Sequence, residues 1–160
     1  MDGLAINVIE RFCCAAISLM PCLKTVCMSA TARGTFDVKT TPQPAADSDD
    51  PGIARLLLDK QFHGDIEAVS KGQMLAAGTA TKGSAGYVAI EKVTGTLSGR
   101  KGSFVLQHIG TMNKGVPTLH VSVVPDSGTD QLTGLSGTMT IIIANSAHSY
   151  EFAYLLPEAH

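Results

Sequence analysis

The sequence predicts an all-β domain that closes into an antiparallel barrel of about eight strands. From residue 33 onward, apolar and polar residues alternate with a period of two, which is typical of half-buried strands. Turn signals separate these runs, and 16 glycines are scattered along the chain. No long amphipathic helix interrupts the pattern. Strands joined by short turns avoid exposed sheet edges best by closing on themselves, so a barrel is the predicted architecture.

Eight segments carry the strand pattern in chain order. The second contains three consecutive leucines that also suit a short helix, but the β-like segment after it favours a strand. The third contains Gly72 and Gly78, which predict a bulge or bend. Residues 42–52, rich in proline and aspartate, predict an exposed loop. The predicted strands are 34–41, 55–64, 65–81, 85–97, 103–112, 117–124, 132–145 and 148–156.

Composition and charge exclude several classes of partner. The chain has 12 Lys and Arg against 14 Asp and Glu, and its pI is about 6.2. A nucleic-acid-binding domain usually shows a basic face or a pI above ~9, so no nucleic-acid partner is expected. All four cysteines lie within the first 27 residues, which leaves the body without a disulfide or a thiolate metal site. No cofactor motif is present, so no cofactor is predicted.

Residues 1–27 differ from the rest and are predicted to lie outside the domain, which spans 28–160. Their apolar run, 12–20, is shorter than the ~20 residues of a membrane span and is followed by Pro21 and Lys24. A signal peptide would have a more basic start and a clear cleavage site. We favour translation from Met28, with a signal or anchor and a genuine extension as alternatives. The expected location is cytoplasmic, or secreted if the segment is a true signal.

Three segments carry a resemblance to a known family. They read GSAGYVAIEKVTGTLSGRKGSFVLQH at 83–108, VVPDSGT at 123–129 and LTGLSG at 132–137. They are similar to an uncharacterised bacterial family, a domain of unknown function whose solved members resemble the allene oxide cyclase barrel. The likeness covers about residues 30–156 and implies the fold. It implies no activity, because a shared barrel does not transfer chemistry and no catalytic motif of the cyclase matches.

Tyr87 and Glu91 are the first candidate site residues. They are four positions apart on one predicted strand, so both side chains project to the same face. If that face lines the lumen, Glu91 is a buried carboxylate that needs a partner. The hairpin at 98–102 makes Arg100 and His108 the nearest candidates, and such a group is able to transfer protons. The alternative is a structural ion pair at the barrel rim.

Histidines and tyrosines supply the remaining candidates. His63, His108, His120 and His148 lie on four different predicted strands without His-x-His spacing, so no metal site is predicted. His148 shares one strand face with an aromatic stripe that suits core packing or the wall of a ligand cavity. The candidate ligand-binding residues are Arg100, His120, His148, Tyr150 and Tyr154.

Three functional hypotheses follow, and the sequence does not name a ligand or a reaction. The first is a protein that binds a small, mostly apolar ligand in the barrel lumen. The second is a cofactor-independent isomerase, cyclase or hydrolase that uses Glu91 and His108, assisted by Tyr87. The third is a homo-oligomeric module, because residues 139–144 are apolar on both faces of their strand.

Overall fold

The computed structural model describes residues 27–44 and 52–157. These residues form eight strands and a single short 3-10 helix, Asp130–Leu132, which precedes the seventh strand. The strands are β1 (Cys27–Pro42), β2 (Ile53–Gly64), β3 (Ile66–Gly78), β4 (Ala85–Leu97), β5 (Arg100–Asn113), β6 (Val116–Val123), β7 (Ser136–Ala144) and β8 (Ala147–Pro157).

The strands form one closed barrel in which each pairs antiparallel with the next and β8 pairs with β1. β1 closes the barrel because it pairs with both β2 and β8: Phe36 lies opposite Phe62 of β2 on one side and opposite His148 of β8 on the other. The β6–β7 ladder is the shortest, with Ser122 opposite Thr138. The predicted closed antiparallel barrel of about eight strands is therefore confirmed.

Alternation along each strand sends every second side chain into the barrel. In β8, Tyr150, Phe152 and Tyr154 are buried, whereas the intervening Glu151 and Ala153 are exposed. The phenylalanine and tyrosine rings stack on one another: Phe152 lies 5.8 Å from Phe104 and 5.3 Å from Tyr154 between ring centroids. The aromatic stripe predicted from the sequence is thus mainly core packing.

The structure differs from the predicted strands at several points. β1 begins at Cys27 rather than residue 34, and β7 begins at Ser136 rather than residue 132, because the residues before Ser136 form the connection from β6. β3 keeps a continuous register with β2 and β4 through Gly72 and has no bulge there, so that prediction is wrong. The interpretation of the N-terminal segment concerns residues 1–27, of which 1–26 lie outside the described part of the chain.

The two ends of the barrel are built differently. At the end where β2 joins β3 and β4 joins β5, the connection 124–135 folds across the opening and buries Leu132 and Leu135. We call this the closed end. At the opposite end, where β5 joins β6 and β7 joins β8, Val116 and Ile143 are 67% and 66% exposed. We call this the open end, and the candidate site lies inside it.

A membrane-crossing helix is not found in the described residues.

Candidate functional site

The barrel contains a pocket of about 150 Å³ that opens to solvent at the open end. All eight strands contribute to its wall, which is mostly apolar. Its polar members come from β2, β4, β5 and β8. The lining residues are Phe36, Val38, Leu58, Lys60, Met74, Tyr87, Ala89, His108, Leu119, Ile141, Ile143 and His148.

Glu91 lies behind this pocket at the centre of a buried polar network. Lys60 Nζ donates a hydrogen bond of 2.8 Å to Glu91 Oε1, and His108 Nε2 lies 2.9 Å from the same oxygen. Ser70 Oγ donates to Glu91 Oε2 at 2.9 Å. The side chain of Glu91 is fully buried, and those of Lys60 and His108 are 6% and 4% exposed. A buried carboxylate is stable only with such partners, and here both of its oxygens have one.

These partners keep Glu91 ionised. Burial by itself would raise its pKa, because desolvation penalises the charged form. The hydrogen bond from His108 and the charges of Lys60 and His108 outweigh burial and lower the pKa of Glu91 from 4.5 to about 2. Glu91 therefore carries a fixed negative charge at neutral pH and is a weak base. Its chemical role is to hold Lys60 and His108 in place.

Lys60 reaches the carboxylate across two adjacent aromatic rings, whose centroids are 5.3 Å apart. Its Nζ atom lies 5.0 Å from the ring centroid of Phe36 and 5.8 Å from that of Phe62. A cation over an aromatic face is attracted by the ring quadrupole, by about 2 kcal/mol when it is desolvated. The ring of His148 lies 5.1 Å from that of Phe36 on the pocket side. The aromatic rings thus fix the lysine while leaving part of it at the pocket wall.

Glycines make room for the two large site residues of β4. Gly72 lies opposite Glu91 in β3, and a Cβ atom there would stand 2.6 Å from Glu91 Cβ and 2.5 Å from the carbonyl oxygen of Ile90. Gly110 lies opposite Tyr87 in β5, and a Cβ atom there would fall within the Tyr87 ring. Gly72 is therefore required for close packing of the neighbouring strand rather than for a bulge.

One ring nitrogen of His108 faces the pocket. Within the described residues, Nδ1 has no hydrogen-bond partner, whereas Nε2 is held by Glu91. Every fully buried side-chain nitrogen and oxygen atom in the described part of the chain has a hydrogen-bond partner. Nδ1 must therefore contact solvent, and the solvent next to His108 is that of the pocket it lines. The carboxylate orients the imidazole and leaves this nitrogen free for a ligand.

Tyr87 adds a hydroxyl group to the same wall. Burial raises its pKa, and the charge of Glu91 raises it further. The phenol is therefore neutral at physiological pH and carries a proton to donate. Its hydroxyl has no hydrogen-bond partner among the residues the structure describes.

The structure brings together Tyr87, Glu91 and His108, the three residues predicted as catalytic candidates, and adds His148 to the pocket wall. It does not bring Arg100 to Glu91. The Arg100 guanidinium lies near the closed end, where Nη1 donates to the carbonyl oxygen of Pro157 at 3.4 Å.

Three further ligand-binding candidates also lie away from the pocket. His120 is exposed on the outer face of β6, because it falls one position out of phase with the inward-facing residues. Tyr150 is part of the core: its hydroxyl accepts a hydrogen bond from the Ile66 amide and donates to the carbonyl oxygen of His63. The hydroxyl group of Tyr154 pairs with Ser98 at the closed end, 3.2 Å away.

The four histidines considered as metal ligands do not converge. His63 lies at the closed end near Asp37 and Glu67, and His120 lies outside the barrel. In residues 27–44 and 52–157, no group of three or more His, Cys, Asp or Glu side chains is arranged to hold a metal ion.

Two members of the polar network were missed from the sequence. Lys60 follows Leu56 and Leu58 at a spacing of two, and Ser70 follows Ile66 and Ala68 in the same way. Each is therefore a polar residue at a position whose neighbours predict an inward-facing side chain. A polar residue in phase with the apolar face is the signal that identifies both.

Two larger concavities, of about 580 and 460 Å³, lie on the outer face of β2–β5. They share Leu75 and Val88, which are about half exposed. Most of their lining residues face outward, with Ala76, Tyr87 and Ala89 as exceptions, and neither Lys60 nor His108 lines them. The smaller internal pocket is therefore the candidate site, because it alone of the three contacts the buried network.

The architecture defines the class: an eight-stranded antiparallel barrel with a small internal pocket over a buried ion network. A family model described as "Protein of unknown function (DUF3224)" matches residues 32–154. The chain belongs to the DUF3224 family.

A solved structure of a protein of unknown function from the same family, from Shewanella oneidensis MR-1, is similar to this chain. The two share 53% sequence identity with a TM-score of 0.76, and the match covers 82% of this chain and 100% of the other. Among curated proteins, none matches this chain.

Proposed function

We propose that this protein binds a small, mostly apolar molecule in the pocket at the open end of its barrel. The observation that carries the proposal is a pocket lined by all eight strands, with apolar side chains from six of them and polar groups confined to a few positions. Ligand sites in proteins combine these features, because apolar walls supply binding energy and a few polar groups fix orientation.

The volume of the pocket limits the ligand to about one ring. A cavity of roughly 150 Å³ accommodates a benzene molecule. The pocket of this barrel has about that volume. Drug-sized ligands occupy roughly 300 Å³ or more, so a longer molecule would have to extend out of the open end. The closed half offers no further room along the barrel axis, because Phe62, Phe104 and Phe152 fill it.

Calorimetric titration with single-ring compounds tests the proposal. Toluene, phenol, benzamide and benzoate are suitable probes, and at least one should bind with one-to-one stoichiometry and raise the melting temperature. Leu119→Trp should block the pocket, because Leu119 lines it at the open end and is 40% exposed. The chain contains no other tryptophan, so its fluorescence also reports on the site.

Leu155→Trp is the matched control, since Leu155 is 44% exposed on the outer face of β8. Binding that survives in Leu155→Trp and is lost in Leu119→Trp supports the proposal. If none of the four probes binds to the wild-type protein, or if Leu119→Trp binds as well as the control, the proposal is wrong.

The second candidate is a cofactor-independent acid–base enzyme, and the free Nδ1 atom of His108 favours it. A histidine held by a carboxylate and open to a pocket is a common general base. With a pKa of about 2, Glu91 is unsuited to accept a proton at neutral pH, so His108 would transfer it and Glu91 would orient the ring. His108→Gln should then abolish turnover of an enolisable single-ring ketone while the protein stays folded. Unchanged exchange of the ketone's α-protons in the variant would refute this candidate.

Self-association is the third candidate, favoured by apolar side chains exposed on the outer face of β2–β5, including Leu75, Val88, Ile90 and Ile109. Monomeric proteins seldom expose large contiguous apolar patches. Light scattering at increasing concentration should show an oligomer, and a constant monomer mass would refute it. A cytoplasmic location is a further proposal, which cell fractionation tests.

A further inference from the structure

Among the described residues, the pocket wall offers hydrogen-bond donors and no free carboxylate. Its polar lining residues are Lys60 of β2, Tyr87 of β4, His108 of β5 and His148 of β8. The nearby carboxylate of Glu91 lies behind the wall, with both oxygens engaged. Ladder hydrogen bonds between strands occupy the backbone around the barrel. A ligand that enters the pocket therefore meets groups that favour a hydrogen-bond acceptor.

Lys60 has spare donor capacity. An ammonium group has three N–H donors. Within the described residues, one of them is used by Glu91 and the ring faces of Phe36 and Phe62 lie at 5.0 and 5.8 Å. Because Lys60 lines the pocket, a remaining N–H group is available to a ligand there. A hydrogen bond from an ammonium group to an anion is about twice as strong as one between neutral groups.

The charge of the site also favours an anion. Lys60 brings a positive charge to the pocket wall, whereas the negative charge of Glu91 lies behind that wall. No acidic side chain from any of the eight strands lines the pocket among the described residues. Glu91 is the acidic group packed behind it, and Tyr87 remains a neutral donor because its pKa is raised.

The geometry points to a compact carboxylic acid, bound as its anion, as the ligand of this pocket. The carboxylate accepts hydrogen bonds from Lys60 and Tyr87, and the apolar part lies against Phe36, Leu58 and Ile141. This inference rests on the proposed binding function and adds the chemical class of the ligand. The volume of about 150 Å³ restricts the acid to one ring or a short branched chain.

Competing titrations of benzoate and benzamide test this inference. The two compounds have nearly the same shape and differ in charge. We expect benzoate to bind at least ten times more tightly at pH 7.

Two variants locate the effect. Tyr87→Phe removes only a hydroxyl group and should weaken benzoate binding several-fold. Benzamide binding should weaken less, because a hydrogen bond to a neutral carbonyl is weaker than one to a carboxylate. Tyr154→Phe at the closed end should change neither. Lys60→Met combined with Glu91→Gln removes both charges together, so neither is left unpaired. This double variant should reduce the preference for benzoate to less than twofold while benzamide still binds.

The outcomes separate the inference from the proposed function. Equal binding of benzoate and benzamide to the wild-type protein would overturn the carboxylate class and leave the binding function standing. So would a preference for benzoate that the double variant retains. Absence of binding by both compounds and by the neutral probes above would instead overturn the binding function itself.

Discussion

Replacing Glu91 with glutamine keeps the shape of the side chain and removes its negative charge. Lys60, only 6% exposed, then loses the carboxylate that accepts its hydrogen bond at 2.8 Å. Removing one partner of a buried ion pair costs about 3–5 kcal/mol, because the other charge stays desolvated without compensation. We expect Glu91→Gln to lower the free energy of unfolding at pH 7 by about this amount.

The pH dependence of the same variant provides a sharper test. A pKa lowered from 4.5 to about 2 corresponds to about 3 kcal/mol of stabilisation, since each pH unit is worth roughly 1.4 kcal/mol. Because the folded pKa lies below the unfolded one, this stabilisation is present above about pH 5 and is lost as the pH falls towards 2. Glutamine does not titrate. The stability difference between the wild-type protein and the variant should therefore narrow as the pH falls.

Urea unfolding followed by circular dichroism at pH 7, 5 and 3 measures this difference. Glu151→Gln is the matched control, because Glu151 pairs with Arg33 at 3.0 Å on the surface and is 49% exposed. Exposed pairs contribute about 0–1 kcal/mol, so this control should change little. Adding Lys60→Met to Glu91→Gln should restore most of the stability, because no buried charge is then unpaired.

The reasoning fails if Glu91→Gln is as stable as the wild-type protein at pH 7. It also fails if the stability difference is constant from pH 7 to pH 3, because Glu91 would then not be the group whose ionisation stabilises the fold.

Three further substitutions test the packing around the site, each by the free energy of unfolding in urea. Gly72→Ala should destabilise the fold by about 1–3 kcal/mol, because the new methyl group meets the backbone and side chain of the neighbouring strand. Gly78→Ala is the control and should be nearly neutral, because the space around Gly78 is open. Equal effects of the two substitutions would contradict the close approach of β4 to Gly72. Tyr150→Phe should lower the free energy of unfolding by about 1–3 kcal/mol, because the buried Ile66 amide loses its acceptor. Tyr154→Phe should cost less. A Tyr150→Phe variant as stable as the wild-type protein would refute the assigned hydrogen bonds. Leu132→Ala should cost about 2–5 kcal/mol by opening the closed end, and a loss below 1 kcal/mol would show that this connection does not seal the barrel.

The strands and their inward-facing residues were predictable because alternation has a simple geometric cause. Successive side chains of a strand point to opposite faces, so residues such as Tyr87, Ala89 and Glu91 had to share one face. The prediction of residues 85–97 as a strand matches β4 at both ends. The prediction of a bulge at Gly72 was wrong because a glycine in a strand indicates either a bulge or the close approach of a neighbouring strand. Only the position of the neighbouring strand, here β4, distinguishes the two cases.

The polar network was partly predictable. The short turn between β4 and β5 sets their register, so the approach of His108 to the side of Glu91 followed from local sequence. The prediction that Arg100 joins this site was wrong because the turn of the hairpin, where Arg100 lies opposite Leu97, is at the closed end of the barrel, away from Glu91. Lys60 comes from β2, which is separated from β4 by the whole of β3, and the sequence carries no local information on that contact.

The sequence by itself determined where strands form and which side chains face inward, because both depend on the period of two and on turn residues within a few positions. It also determined that a buried carboxylate would need a partner. Only the tertiary structure decided that Lys60 and Ser70 join His108 as the partners, and that the pocket lies at one end while Leu132 closes the other. These outcomes depend on the stagger and closure of the barrel, which bring together side chains from strands that are not adjacent in the sheet.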